Sequence, residues 1–284
     1  MVESDIRDFR QFIIDRKYPD ILADKIVHVV KNEKYNLIKA KSRFMAAENC
    51  FVGKHIDFKE YLKMLEIDHR IATVTLNRVK ERIDYFAGKG FDADQIIFIT
   101  KMAPSVYAMS EKMLGEYEST IRAFGFTHDE FVSIVSRWPS IYNRTILNLT
   151  VTEKIVVTDF KYSIEEFRTI FHAEPSISKK WPGTLVNKLS CFDRIGLRKY
   201  CVENPGILHK SAPLTYARSQ YLLRSGIPLN EDSYELLFLS EEEFRLKLDC
   251  NISSEELLIM FPYKKLPLKV LGKSLEKKEY LYPH

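Results

Sequence analysis

The chain has 284 residues, 45% of them hydrophobic, and a formal net charge of +4. That size supports a sizeable core, while so mild a basic excess excludes a partner held by net charge alone. No apolar run approaches the ~18 residues that a membrane span needs.

At the N-terminus, MVESDIRDFR carries acids and no apolar core, so neither a signal peptide nor an organelle presequence is expected there. The expected compartment is the cytoplasm, or an organelle matrix if a presequence was removed. Ile14, Pro19, Ile21 and Leu22 resemble a decayed structural unit. Two helices follow, over roughly 20–31 and 34–48. Residues 1–55 thus form an N-terminal helical cap.

From residue 56 a pattern returns. Pro104, Pro139, Pro175 and Pro205 are spaced by 35, 36 and 30 residues, and His69 fits one period earlier. Two places after each marker come Ile71, Val106, Ile141, Ile177 and Ile207. Seventeen places after it come Phe86, Ile121, Val156, Phe192 and Leu222. Twenty-one places after it stand Gly90, Gly125, Gly196 and Gly226, with Phe160 the exception. Repetition at this length means one helical unit stacked on copies of itself.

The segment from Phe91 to Gly125 shows the design. Asp92 and Asp94 open a helix whose apolar residues Ile96, Ile99 and Met102 share a face. Pro104 stops it, because the residue before a proline avoids the helical region. Val106 and Tyr107 link to a second helix capped by Ser110, and Gly125 ends that helix. The cap position recurs as Thr75, Thr145 and Ser211, and Trp181 breaks the series. The expected fold is therefore an all-α solenoid of about 35-residue repeats, with five proline-marked units over 56–226. Tyr234–Leu239 and Glu241–Leu248 read as short helices without the proline, and 253–262 as a half unit. Residues 227–262 then form a C-terminal cap. The stretch 263–284, with six lysines, reads as a poorly ordered basic tail.

Chemistry is hard to find. The phosphate-loop, HExxH and GxSxG patterns are absent. Cys50, Cys191, Cys201 and Cys250 make no CxxC pair, and the seven histidines are scattered. No enzyme activity, cofactor or metal is expected. His172 with Cys191, and His209 with Cys201, could meet across helices, but nothing argues for a dyad. Trp138 and Trp181 each precede a proline, and packing is favoured for them over base stacking.

What remains is charge. Residues 161–224 hold eleven Lys or Arg against five acids, whereas 231–257 hold two against nine. Five places after the marker stand Arg144, Lys180 and Lys210. Thirteen places after it stand Lys188 and Arg218, with Arg82 earlier. Nineteen places after it stand Arg194 and Arg224. Equivalent positions of stacked repeats lie in rows, and a row of cations can track a phosphate backbone. The plus-thirteen side chains flank the apolar face, from which their heads can snorkel to an exposed rim. Phosphate contact and simple solubilisation of that rim both stand as readings.

The phrases Asn204-Pro-Gly-Ile-Leu-His-Lys-Ser211, Arg218-Ser-Gln-Tyr-Leu-Leu-Arg-Ser-Gly226 and Ala103-Pro-Ser-Val-Tyr107 resemble the mitochondrial transcription termination factor family. The resemblance covers roughly residues 56–262. It implies a right-handed, curved α-solenoid that binds double-stranded DNA or structured RNA on a concave basic side. The expected function is thus non-enzymatic nucleic-acid binding by a monomer, modulating gene expression. The rival is a protein-interaction solenoid, an adaptor or effector, using the same surface. The acidic segment 231–257 favours the rival, because it repels phosphate.

Overall fold

A computed structural model describes residues 2–53 and 55–264; most of the expected basic tail, 265–284, lies outside the described residues. The described residues contain helices and no strand. By contacts the chain divides into two compact units, Met1–Ile146 and Leu147–His284.

The first unit opens with α1 (Glu3–Asp15), α2 (Asp20–Asn32) and α3 (Leu37–Phe51). The sequence reading had no helix at α1. Its Phe9 and Ile13 are fully buried, four apart on one face. Three proline-type repeats follow. The first has α4 (Phe58–Ile67), a 3₁₀ turn His69–Thr73 and α5 (Leu76–Gly88). The next has α6 (Ala93–Met102), a 3₁₀ turn Pro104–Tyr107 and α7 (Glu111–Ala123). The third enters through α8 (His128–Arg137) and its turn Pro139–Asn143. First helices pack on first helices, α4 on α6 and α6 on α8, and each 3₁₀ turn packs on the next.

The second unit holds α9 (Ile146–Glu153, which begins one residue before the division), α10 (Ile164–Ala173), the turn Pro175–Lys179 and α11 (Pro182–Arg194). Then come α12 (Arg198–Glu203), the turn Pro205–His209 and α13 (Ala212–Arg224). A last repeat lacks the proline: α14 (Glu231–Tyr234), a turn Glu235–Phe238 and α15 (Glu241–Leu248), followed by α16 (Ser254–Met260). Here α10 packs on α12, α11 on α13 and α13 on α16.

The irregular spacings have physical causes. A π-helical stretch, Lys154–Asp159, follows α9. Such a bulge adds one residue to a helix, and it accounts for the 36-residue spacing. It also explains the missing glycine. Gly90, Gly125, Gly196 and Gly226 all have positive φ, and in the bulged repeat that conformation moves one place on, to Lys161 at φ 59°. The 30-residue spacing reflects the short α12.

The column thirteen places after the marker is the structural surprise. The 3₁₀ turns leave carbonyls at their ends that the following helix cannot reach. A side chain from the preceding repeat satisfies them. Arg82 Nε donates to Val106 O at 3.1 Å, and its Nη2 donates to Met109 O. Tyr117, at the same offset, donates its hydroxyl to Arg144 O. Lys188 Nζ donates to Lys210 O. Arg218 Nη1 donates to Leu237 O at 3.2 Å and Leu239 O at 2.5 Å, with its guanidinium 4.5 Å from the Phe244 ring centroid. Thr152, beside the bulge, bonds inside its own helix instead. Arg82, Lys188 and Arg218 are 0%, 8% and 2% exposed. The expected exposed rim does not exist at these positions, because the heads turn inward to orphan carbonyls.

Hydrogen bonds from charged donors contribute about 1.5–3 kcal/mol each. Arg218→Met is therefore expected to lower unfolding free energy by on the order of 2–4 kcal/mol. Protection from hydrogen exchange should fall first in 235–248. A loss within ~0.5 kcal/mol, the scale of a neutral surface change, would show that the contact does not hold the repeats.

Candidate nucleic-acid interface

Four first helices carry capping boxes and acids: Asp57 with Glu60, Thr127 with Glu130, and Ser163 with Glu166, while α6 pairs Asp92 with Gln95 and adds Asp94; the first helix α12 has neither. Acids there oppose the helix dipole. The second helices α11 and α13 have no acid in the first turn. Each is instead preceded by a lysine, Lys180 before α11 and Lys210 before α13. A cation beside a positive helix end is unfavourable on its own, and it favours an anion. In the first unit the second helix α7 keeps an acid, Glu111, whereas α5 has none.

The beginnings of α11 and α13 flank one pocket of about 210 Å³, lined by Thr184, Asn187, Lys188, Ser211, Ala212, Pro213 and Tyr263. Ser211 caps α13, its hydroxyl accepting from Leu214 N. Tyr263 closes one side, its hydroxyl donating to Asn187 O at 2.9 Å. Tyr263 thus belongs to the packed structure, where the sequence reading began the loose tail. The Asn187 side-chain oxygen is buried with no hydrogen-bond partner.

The predicted site residues fall into three groups. Lys180 and Lys210 precede the two helix starts, and neither lines this pocket. Lys210 is exposed and lies near Glu243, whose carboxyl its charge helps to lower. Lys180 is half-buried, with Nζ 3.3 Å from His209 Nδ1. Burial holds its pKa below the ordinary lysine value, and Glu174 opposes the shift. Lys188 and Arg218 form the second group, buried on backbone carbonyls as described. Burial pulls Lys188 down to about 8, and the charge of Lys180 pushes the same way. Arg194 and Arg224 form the third. Both are exposed, and both stack on aromatics of the C-terminal segment: Arg194 lies 5.6 Å from the Tyr263 ring and 5.9 Å from Tyr216, and Arg224 lies 4.9 Å from Phe261. Arg144 lies in the first unit, half-buried, with its carbonyl held by Tyr117.

Other expectations also resolve. Trp181, the N-cap of α11, is 48% exposed beside Lys180, so packing does not account for all of it. His209 does not pair with Cys201. Its Nε2 lies 3.1 Å from Ser176 Oγ and 3.2 Å from Glu174 Oε1. Cys191 Sγ lies 3.3 Å from Ala212 O, and burial raises both the Cys191 and Cys201 thiols to about 12. Such thiols are poor nucleophiles at neutral pH. Among the described residues no group of three His, Cys, Asp or Glu could hold a metal, and no helix is long and apolar enough to cross a membrane.

The Lys188 geometry predicts a pH signature. Its folded pKa of about 8 lies below the ordinary 10.5. Between those values the unfolded chain binds the extra proton, so stability rises with pH across that window. The stability of wild type relative to Lys188→Met should therefore increase from about pH 8 to about pH 10.5. Denaturant melts of both proteins across this range check it, and a constant difference would contradict the buried ammonium.

The mTERF family model matches residues 56–245. No curated protein matches the chain.

Proposed function

The chain belongs to the mTERF family, known for nucleic-acid binding and regulation of gene expression, and on that premise we propose that it is a non-enzymatic protein that binds the phosphate backbone of double-stranded DNA or structured RNA. The observation that carries this reading is the charge inversion at the starts of α11 and α13. These ends lack first-turn acids, they are preceded by Lys180 and Lys210, and they face one pocket. Helix amides, dipole and ammonium groups together suit phosphate. Arg194 and Arg224 add exposed positive charge to the same two helices. Trp181 offers an aromatic face next to Lys180, which suits a base in a loop or single strand.

The contacts in this reading are fewer than the residues of the cation rows. Lys188 and Arg218 shape the interface from behind. Lys180→Gln or Lys210→Gln should each flatten the dependence of log K on log salt by about one unit, with fold intact. Lys188→Met should leave that slope unchanged. The measurement is binding of duplex DNA and hairpin RNA at several salt concentrations. Wild-type binding weaker than ~10⁻⁴ M to both, the weak edge of non-specific binding, would overturn the reading.

One observation favours the protein-interaction alternative. Helices α15 and α16 turn Leu246 and Ile259 outward, 84% and 80% exposed, each four places after a glutamate, Glu242 and Glu255. Such a surface suits a basic, apolar-bearing protein segment. A crosslinking pulldown scored for both protein and nucleic acid separates the two readings.

A further inference from the structure

We propose that His209 is a proton gate on the Lys180 phosphate contact, so that acidification releases the lysine and strengthens backbone binding; this rests on the nucleic-acid reading above. Lys180 follows the turn Pro175–Lys179, and His209 ends the equivalent turn of the next repeat. The imidazole therefore bridges two consecutive turns. Its Nε2 faces Ser176 Oγ at 3.1 Å and Glu174 Oε1 at 3.2 Å, and these two acceptors also bond to each other. That side fixes the tautomer. A carboxylate can only accept, so the Nε2 proton points at Glu174 and the Nδ1 lone pair is left free. Lys180 Nζ sits 3.3 Å from Nδ1 and donates to that lone pair. In the neutral state the ammonium is held against the ring.

Protonation of Nδ1 removes the lone pair. Two donors, one on an imidazolium and one on an ammonium, would then face each other at 3.3 Å. Glu174 stabilises the imidazolium through Nε2, so the ring stays and the lysine moves. The surrounding charges favour outward movement. Lys188, from α11, holds Lys210 O behind the site, and its positive charge already interacts with that of Lys180. Lys210 flanks His209 in the chain, and Glu243 of α15 lies near Lys210. Glu174 is the carboxylate already engaged by His209 and Ser176. The His209 side chain is 43% exposed, so solvent protons reach the ring. The result is one added charge on His209 and one released ammonium just before the start of α11.

Binding is compared at about pH 8 and about pH 5.5, the range in which histidine is the side-chain type that can change charge. The probes are a mixed-sequence duplex DNA and a hairpin RNA, each with wild type, His209→Gln and Lys180→Gln. Gln cannot titrate, and neither position is in the core, so thermal melts are expected to match wild type. Between about pH 8 and about pH 5.5, the wild-type salt slope should steepen by one to two units more than that of His209→Gln, since each new phosphate contact adds ~0.9. Lys180→Gln should lose about half of that extra steepening. The other histidines are present in all three proteins, so the comparison isolates His209. Equal pH dependence in wild type and His209→Gln overturns the gate while leaving nucleic-acid binding in place. Absence of binding at both pH values overturns the functional reading and the gate with it. Independently of any ligand, the Lys180 side-chain NMR resonance should shift with the His209 titration, and a Lys180 signal indifferent to it also overturns the gate.

Discussion

At four of the 3₁₀ turns between helices, backbone carbonyls take a side-chain donor from the preceding repeat. Burying such a carbonyl unpaired costs roughly 1–3 kcal/mol, so the repeats must supply a donor. They do so from thirteen places after the preceding marker, through Arg82, Tyr117, Lys188 and Arg218. The donor reaches forward to the next repeat and thereby sets its distance. The apolar columns, fully buried at Ile71, Val106, Ile141 and Ile177, can close only when that distance is right. A buried cation whose hydrogen bonds all go to backbone is strongly disfavoured when its acceptors are missing. It therefore penalises alternative registers as well as supporting the native one.

This constraint also determines what is left for a ligand. A cation fixed on a carbonyl offers its field but not its hydrogen bonds. Lys188 is therefore an electrostatic neighbour of the pocket, and Arg218 supports the last repeat. The residues left to meet an anion are those just before the second helices: Lys210, and Lys180 when His209 releases it. They gain from helix starts that carry no acid. In the repeat of α10 and α11, the first helix is closed by a capping box and the second is left electropositive.

Much of the fold was legible in sequence because backbone chemistry writes it there. Proline starts every 3₁₀ turn it marks, glycine takes the left-handed position, and Thr75, Ser110 and Ser211 cap as expected. The bulge at Lys154–Asp159 leaves one extra residue and a missing glycine in the sequence, but spacing alone does not say where an insertion sits. The site was less legible. Helical offset gives the side of a helix that a residue occupies, not the depth its head reaches, so Lys188 and Arg218 looked like rim residues. A clue was present. The same column holds Tyr117 and Thr152, so what its members share is a hydrogen-bond donor and not a charge. His209 was hidden for a different reason: its partners Glu174 and Ser176 belong to another repeat, and only stacking brings them within reach.

The central claim is that the start of α11 is left without an acid for the sake of an anion. Thr184 is exposed, in the first turn of that helix, and lines the pocket. Thr184→Glu tests the claim by pulling stability and binding apart. A first-turn glutamate should raise unfolding free energy by about 0.3–1 kcal/mol through the helix dipole. The same carboxylate should repel phosphate and weaken duplex DNA or hairpin RNA binding at low salt. A variant that is more stable and binds less tightly is the predicted result. A variant that is more stable with unchanged affinity would contradict the account, since the start of α11 would then not face the nucleic acid.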